Sequence, residues 1–474
     1  MMRVYPLYLN GEFVTTDKQL PVKNPATAKV FARMSALDRP RLKQAIQNAH
    51  GAFAGWRALT AKVRGDYLHK IASDLERRRD EIARTLTLEA GKPLAQSLGE
   101  VAMAVDHLHW FAEEARRGYG RVIPHQTEGK RNLVVKTPIG VVGAISPWNF
   151  PLVLGVRKVA AAMAAGCPTI LKPASCTPLC NVALAEACHA AQLPKGVFQL
   201  AAGLASEIAA EFLENPLVRK ISFTGSTEAG RSLIAGAAAQ IKPLSLELGG
   251  LNPLLVFEDA DLEKAVAGAM LAKFRNTGQS CIAANRIYVQ RGIYGRFVNR
   301  LAEETRMLKV GDGLEPDVQV GAMIDETALK KALEHIADAV GRGARVLCGG
   351  RRLERPGWFL EPTVLEGVPR ESLCMTQETF APVAAVTPFE TEAEAIEAAN
   401  SAPFGLAAYA FTSDLGRVFR LMEQVEAGML SVNDGLPTTT NAPFGGVKQS
   451  GWGRELGSEG LDSFLETKHI SIAI

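Results

Sequence analysis

The sequence predicts an α/β protein built from two units in which strands and helices alternate. From residue 141 onward, short β-branched runs alternate with Ala-rich stretches of helical period. That rhythm builds a doubly wound parallel sheet, whose ligands bind at the carboxyl ends of its strands. A second alternating unit starts at Asn252, after a plausible boundary at Gly249-Gly250. At 474 residues the chain is also too long for one ordinary core.

Composition narrows the class. The hydrophobic share of 47% and charged share of 22% are those of a globular protein. Lys+Arg number 53 and Asp+Glu 50, a net charge of +3, with no run of five or more basic residues. This excludes nucleic acid or a membrane surface as the main partner. Seven cysteines, an odd number, do not make a disulfide framework. The N-terminus has no charged-then-apolar leader, and Arg157 and Lys158 interrupt the longest apolar stretch. A reducing, cytoplasmic setting is expected.

Taken in order, residues 7–14 predict a hairpin turning at Asn10-Gly11, where both residues accept positive φ. Asp38 caps a helix with apolar residues at Leu42, Ala45, Ile46, Ala49, Phe53 and Trp56. Further helices are expected over 60–90 and 99–118. Two β-rich runs, 131–137 and 139–145, joined at Pro138, predict a hairpin that projects from its domain. The first unit then has strands at 141–145, 169–172, 197–200, 220–224 and 243–248. Gly166 closes one of its helices, and Thr177-Pro178 opens the next as cap and first-turn proline. The second unit has strands at 254–257, 286–290, 344–348, 383–388, 407–411 and 429–433. The tail, 468–472, predicts an exposed edge strand.

The chemistry gathers in the connections. Cys281 sits in Gly278-Gln279-Ser280-Cys281, between a helical pattern and a strand. Polar loop donors favour a thiolate presented to a ligand, although most free cysteines simply fill space. Glu247 ends a buried-looking strand, where desolvation raises a carboxyl toward general-base range unless a lysine or backbone amides pair it. Asn149, in Pro147-Trp148-Asn149-Phe150-Pro151, can donate to an oxyanion or form an Asx-turn. Lys172 and Ser175 follow a strand and suit ribose or phosphate, or a solvated lysine. Phe223-Thr224-Gly225-Ser226-Thr227 reads as strand, turn and helix start, a place for an anion. No G-x-G-x-x-G is present. The near P-loop from Gly225 to Ser232 has Arg231 in place of lysine, which argues against an NTPase. Cys176, Cys180, Cys188 and His189 lie on a helical pattern without zinc-ligand spacing, so no metal site is expected.

Together these motifs resemble the NAD(P)-dependent aldehyde dehydrogenases. Pro147-Trp148-Asn149-Phe150-Pro151, Lys172-Pro173, Phe223-Thr224-Gly225-Ser226-Thr227, Glu247-Leu248-Gly249-Gly250, Gly278-Gln279-Ser280-Cys281 and Gln377-Glu378-Thr379-Phe380-Ala381-Pro382 come in that family's order. The resemblance implies a variant Rossmann cofactor domain over 1–124 and 144–249 and an α/β catalytic domain over 250–454. It also implies a β oligomerisation element over 125–143 and 455–474, in a homodimer or homotetramer. By the same resemblance Cys281 is the nucleophile, Asn149 and the Cys281 N–H hold the oxyanion, and Glu247 activates water. Trp148, Lys172, Ser175, Gly225, Ser226, Leu248, Glu378 and Phe380, with Asn149, would line the cofactor.

Where strict NAD users of the family often carry a glutamate, this chain has Ser175, so NADP is expected to be accepted, alongside or in place of NAD. The subgroup most resembled is the succinate-semialdehyde dehydrogenases, through Lys273-Phe274-Arg275-Asn276-Thr277-Gly278-Gln279, Arg157-Lys158 and residues 443–451. Their pattern implies that Arg157 and Arg275 hold a distal carboxylate and that Thr438 offers a hydroxyl. Two departures matter. Ala283 stands where the subgroup often has a second cysteine, and the loop 434–441 carries Pro437 and three threonines. Glutarate semialdehyde, 2-oxoglutarate semialdehyde and sulfolactaldehyde are therefore rival substrates, and a non-catalytic role on this fold is the alternative of another class.

Overall fold

The computed structural model describes residues 2–474. Its largest sheet has eight strands, and the run of alternation read from the sequence forms its centre. The spatial order is Gly451–Trp452, Leu244–Glu247, Val218–Thr224, Val141–Ile145, Thr169–Lys172, Phe198–Leu200, Leu7–Leu9 and Glu12–Val14. The five central strands are parallel. The chain leaves Val141–Ile145 toward one edge and later returns to its other side with Val218–Thr224. This is a topological switch point, the place where doubly wound sheets open a crevice. The N-terminal hairpin turns at Asn10 (φ 49°) and Gly11 (φ 83°), as the Asn-Gly pair requires.

A seven-stranded sheet follows in sequence: Arg345–Cys348, Thr363–Glu366, Val383–Phe389, Ala284–Gln290, Asn252–Val256, Ala407–Phe411 and Met429–Val432. All are parallel except the first. The strand Thr363–Glu366 was not anticipated. The short strand Gly451–Trp452 carries the chain back to pair with Leu244–Glu247 of the first sheet.

Two local expectations are corrected. Residues 131–145 do not form a hairpin. The strand Lys130–Pro138 pairs with Arg121–Ile123 on one side and with Leu465–Ala473 on the other, in a separate three-stranded antiparallel sheet. Val141–Ile145 instead runs into the large sheet, because Gly140 (φ 123°) turns the chain out of the arm. The predicted edge strand at the tail is the outer strand Leu465–Ala473. Nor does Thr177 cap the next helix, Leu179–Ala190. The buried Glu89 carboxylate accepts from the first two amides, Leu179 N at 2.7 Å and Cys180 N at 2.9 Å. An acid from a neighbouring helix thus satisfies the orphan donors that a local cap would otherwise take.

Candidate active site

The carboxyl ends of the central strands of the first sheet converge. Trp148 and Asn149 follow Val141–Ile145, and Lys172 ends Thr169–Lys172 with Ser175 three residues on. Gly225 and Ser226 follow Val218–Thr224, while Glu247 ends its strand and Leu248 comes next. Glu378 and Phe380 come from the second unit, just before the strand Val383–Phe389, and Cys281 just before Ala284–Gln290. All of these residues line one cavity of about 670 Å³. Arg157, Arg275 and Thr438 line a second, smaller cavity of about 40 Å³. Cys281 lines both.

The approach to Cys281 is held in an uncommon backbone. Asn276 (φ 54°), Thr277 (φ 58°) and Gly278 (φ 69°) are successive left-handed residues, an outlier for a β-branched threonine. The surroundings fix it. Gln96 Oε1 accepts from Asn276 N at 2.7 Å, Asn276 Nδ2 donates to Asn149 O (2.9 Å) and Gln279 O (2.8 Å), and Thr277 Oγ1 accepts from Gly321 N (3.0 Å). At Gly278 a Cβ would lie 2.2 Å from Ala381 O, so only glycine fits. Past the cysteine, Asn252 Nδ2 donates to Cys281 O (2.8 Å) and Ala283 O (2.9 Å), and Tyr409 Oη donates to Ile282 O (2.5 Å). Strain of this kind persists only where the structure over-determines it. Asn149 Nδ2 donates to Gln279 O at 3.2 Å, at the same loop.

Burial pushes the Cys281 thiol up to about 12, with the Glu378 and Glu247 charges adding and Arg157 opposing. Glu247 is 3% exposed, and neither of its carboxylate oxygens has a hydrogen-bond partner. Burial raises it well above the usual carboxylate range, Glu455 adds to this, and Lys158, Arg157 and Arg454 oppose it. The cation pairing that was the alternative for Glu247 belongs instead to Glu455, which pairs with Lys158 and, at 3.4 Å, with Arg157. Lys158 also donates to Thr224 Oγ1 at 2.7 Å.

In the larger cavity, Trp148 and Phe380 meet edge to face, with centroids 5.4 Å apart. Phe380 is itself left-handed (φ 53°). Glu378 Oε1 accepts from Gly250 N at 3.3 Å, and burial raises its carboxyl to about 7. Ser226 caps the helix Thr227–Ala237, so that helix opens onto the cavity. From Lys172 and Phe223 an apolar slot of about 390 Å³ continues between this helix and Ala205–Glu214.

Residues 13–470 match the model of the aldehyde dehydrogenase family. The chain belongs to that family. As an aldehyde dehydrogenase it is an NAD(P)-dependent oxidoreductase. It is 47% identical to a glutarate-semialdehyde dehydrogenase of Pseudomonas aeruginosa, over 98% of this chain and 97% of that one. It is also 47% identical to the succinate-semialdehyde dehydrogenase (NADP(+)) GabD of Escherichia coli K12, with the same coverage. The crystal structure of an aldehyde dehydrogenase from Brucella melitensis biovar abortus 2308 superposes with a TM-score of 0.98 at 47% identity, covering 99% of this chain and 97% of that one.

Sequence reasoning passed over several residues that this aldehyde dehydrogenase places around the site. Lys158, Glu455, Asn252, Tyr409 and Asn276 are the clearest. A signal existed for Lys158: it is a charge inside the helix Pro151–Ala165, every residue of which is buried. Lys92 is similar. It is 2% exposed and donates to Glu100 Oε2 and Asn149 O, both at 2.6 Å.

Proposed function

We propose that this enzyme oxidises a short aldehyde bearing a distal anion, best succinate semialdehyde, to the acid with NAD(P)+. The observation that carries the proposal is Arg275. Its guanidinium lies in the small cavity beside Cys281 and has no carboxylate partner among the described residues. Its contacts are the Phe150 ring face, 5.1 Å from the centroid, and Met103 Sδ at 3.7 Å. Arg275 is half-buried, so holding its charge without an anion costs solvation, and a substrate carboxylate offsets that cost through charge-assisted bonds. Arg157, lying over the Phe444 ring at 4.5 Å, and the Thr438 hydroxyl would complete the clamp.

The residues divide the reaction between them. The Cys281 thiol gives up its proton to water as Sγ bonds to the aldehyde carbon, and the carbonyl oxygen becomes an oxyanion facing Asn149 Nδ2 and the Cys281 N–H. The bound nicotinamide supplies the hydride acceptor. Loss of hydride leaves a thioester on Cys281. Glu247 takes a proton from water, whose oxygen attacks the thioester and releases the acid and the thiol. Trp148, Phe380, Leu248 and Glu378 suit the nicotinamide end. Gly225 and Ser226 suit the pyrophosphate, Lys172 and Ser175 the adenosine ribose, and the apolar slot the adenine.

The test is initial rates with succinic, glutaric and sulfolactic aldehydes against uncharged butanal. Arg275→Leu is expected to lower kcat/KM for the anionic aldehydes about 100-fold and to leave butanal nearly unchanged. Equal losses on both would remove the clamp. Glutarate semialdehyde, 2-oxoglutarate semialdehyde and sulfolactaldehyde fit the same chemistry, and the fastest of the series names the substrate.

Ser175 is exposed, beside the buried Lys172, so a 2′-phosphate meets a cation there and no acid at position 175 itself. Ser175→Glu is expected to raise the KM for NADP about 100-fold through like-charge repulsion, with NAD use retained. An unchanged NADP KM would place the 2′-phosphate elsewhere.

The chain is assigned a cofactor domain, a catalytic domain and an arm, with the first two boundaries of the arm moved, because Arg121–Ile123 pairs within the arm and Val141–Ile145 within the large sheet. The arm, whose strand Arg121–Ile123 is exposed throughout, supports a homodimer or homotetramer. All seven cysteines are free, which supports a cytoplasmic location. No described helix is long and apolar enough to cross a membrane.

A further inference from the structure

Two buried polar atoms behind the small cavity have no hydrogen-bond partner in the protein: Nδ1 of His107 and Nε of Arg157. They are complementary in kind. A guanidinium Nε–H only donates, and Nδ1 of an imidazole in its Nε2–H tautomer only accepts. His107 lies on the helix Leu94–Glu114 and Arg157 on Pro151–Ala165, and these two helices pack together. The His107 ring contacts the backbone of Val153, one turn before Arg157. The two side chains are 4% and 7% exposed, so bulk water does not satisfy them. Burial first, and the Arg157 charge second, hold His107 in its neutral form.

The remaining contacts of Arg157 leave its plane underdetermined. The Phe444 ring supports one face. Nη1 reaches Glu455 only at 3.4 Å, and Glu455 is already paired with Lys158. A guanidinium tied only there can swing toward Glu455 and away from the cavity.

We propose that His107 is a positioning residue for Arg157: its Nδ1 accepts the Arg157 Nε–H through one buried water, and so aims the guanidinium at the substrate's distal anion. The proposal rests on the reading of Arg157 as an anion contact. It makes His107, which touches neither substrate nor cofactor, a determinant of substrate choice.

The test compares His107→Phe, His107→Gln and Arg157→Ala with the unmodified enzyme, using succinic semialdehyde and butanal as substrates and following thermal unfolding. His107→Phe is expected to raise the KM for succinic semialdehyde about tenfold, with kcat and the butanal parameters little changed. His107→Gln, whose amide oxygen can accept, is expected to restore most of the loss. Should His107→Phe not fold, His107→Met serves as the variant without a comparable acceptor.

An unchanged succinic semialdehyde KM in the Phe or Met variant, alongside a raised one in Arg157→Ala, overturns the His107 assignment alone. So does an equal rise for both substrates, or no rescue by Gln. If Arg157→Ala keeps the full preference for the anionic aldehyde, the anion-contact reading of Arg157 fails. In that case His107 has nothing to aim, and both fall.

Discussion

Cys281→Ala is expected to lower aldehyde oxidation by roughly 10⁴–10⁶-fold, the scale seen when an enzyme loses its nucleophile, while NADPH still binds. Cys281 lines both the larger and the smaller cavity. In the proposed reading, an aldehyde held by Arg275 meets it on the way to the hydride acceptor. The substitution spares the scaffold for a definite reason. The loop is tied through the carbonyls of residues 281, 282 and 283, by Asn252 and Tyr409, and none of these bonds uses the thiol. The variant should therefore unfold within a few degrees of the parent and quench NADPH fluorescence with a similar Kd. Turnover within tenfold of the parent would rule out a thioester route. Loss of NADPH binding together with turnover would make Cys281 a packing residue after all.

Much of this geometry was legible in the sequence, and the limits have physical causes. Trp148, Lys172 and Gly225 follow or end β-branched runs and Glu247 ends the leucine-rich run 244–247, and the rule that doubly wound sheets bind ligands at strand carboxyl ends found that wall. The opposite wall obeys no such rule. Cys281 and Glu378 precede their strands, at the amino ends of the second sheet. Loop context marked Cys281 as a candidate, but only the family resemblance brought in Glu378 and set the two opposite that wall.

Long-range pairings were invisible to local patterns. Pro138 pairs with Leu465, and Lys158 meets Glu455 almost 300 residues away. The false hairpin at Pro138 is one result, since period-2 alternation tells which residues are strand but not which strand they join. Thr277 and Phe380 are harder still. Neither is a residue type that advertises positive φ, and both conformations are imposed by tertiary contacts.

Glu247→Gln should separate the two halves of the reaction. Acylation of Cys281 does not need this carboxylate in the proposed sequence, whereas attack of water does. A rapid burst of NADPH, about one per active site, should precede a steady state slowed roughly 10²–10⁴-fold, the range for losing a general base. The pH profile gives a second handle. Burial raises Glu247 well above the ordinary carboxylate range, so it is protonated at low pH and gains base character as pH rises through its raised value. Steady-state turnover of the parent should climb over that window, and the glutamine variant should lose the climb.

Stability should move in the other direction from activity. Neither carboxylate oxygen has a donor to lose, and a neutral amide of the same shape avoids burying a charge. The glutamine variant should therefore unfold no earlier than the parent, so a slowed steady state cannot be blamed on a damaged fold. An unchanged steady state with no burst would assign the proton transfer to another group. The buried Lys158–Glu455 pair beside Glu247 would then be the first place to look.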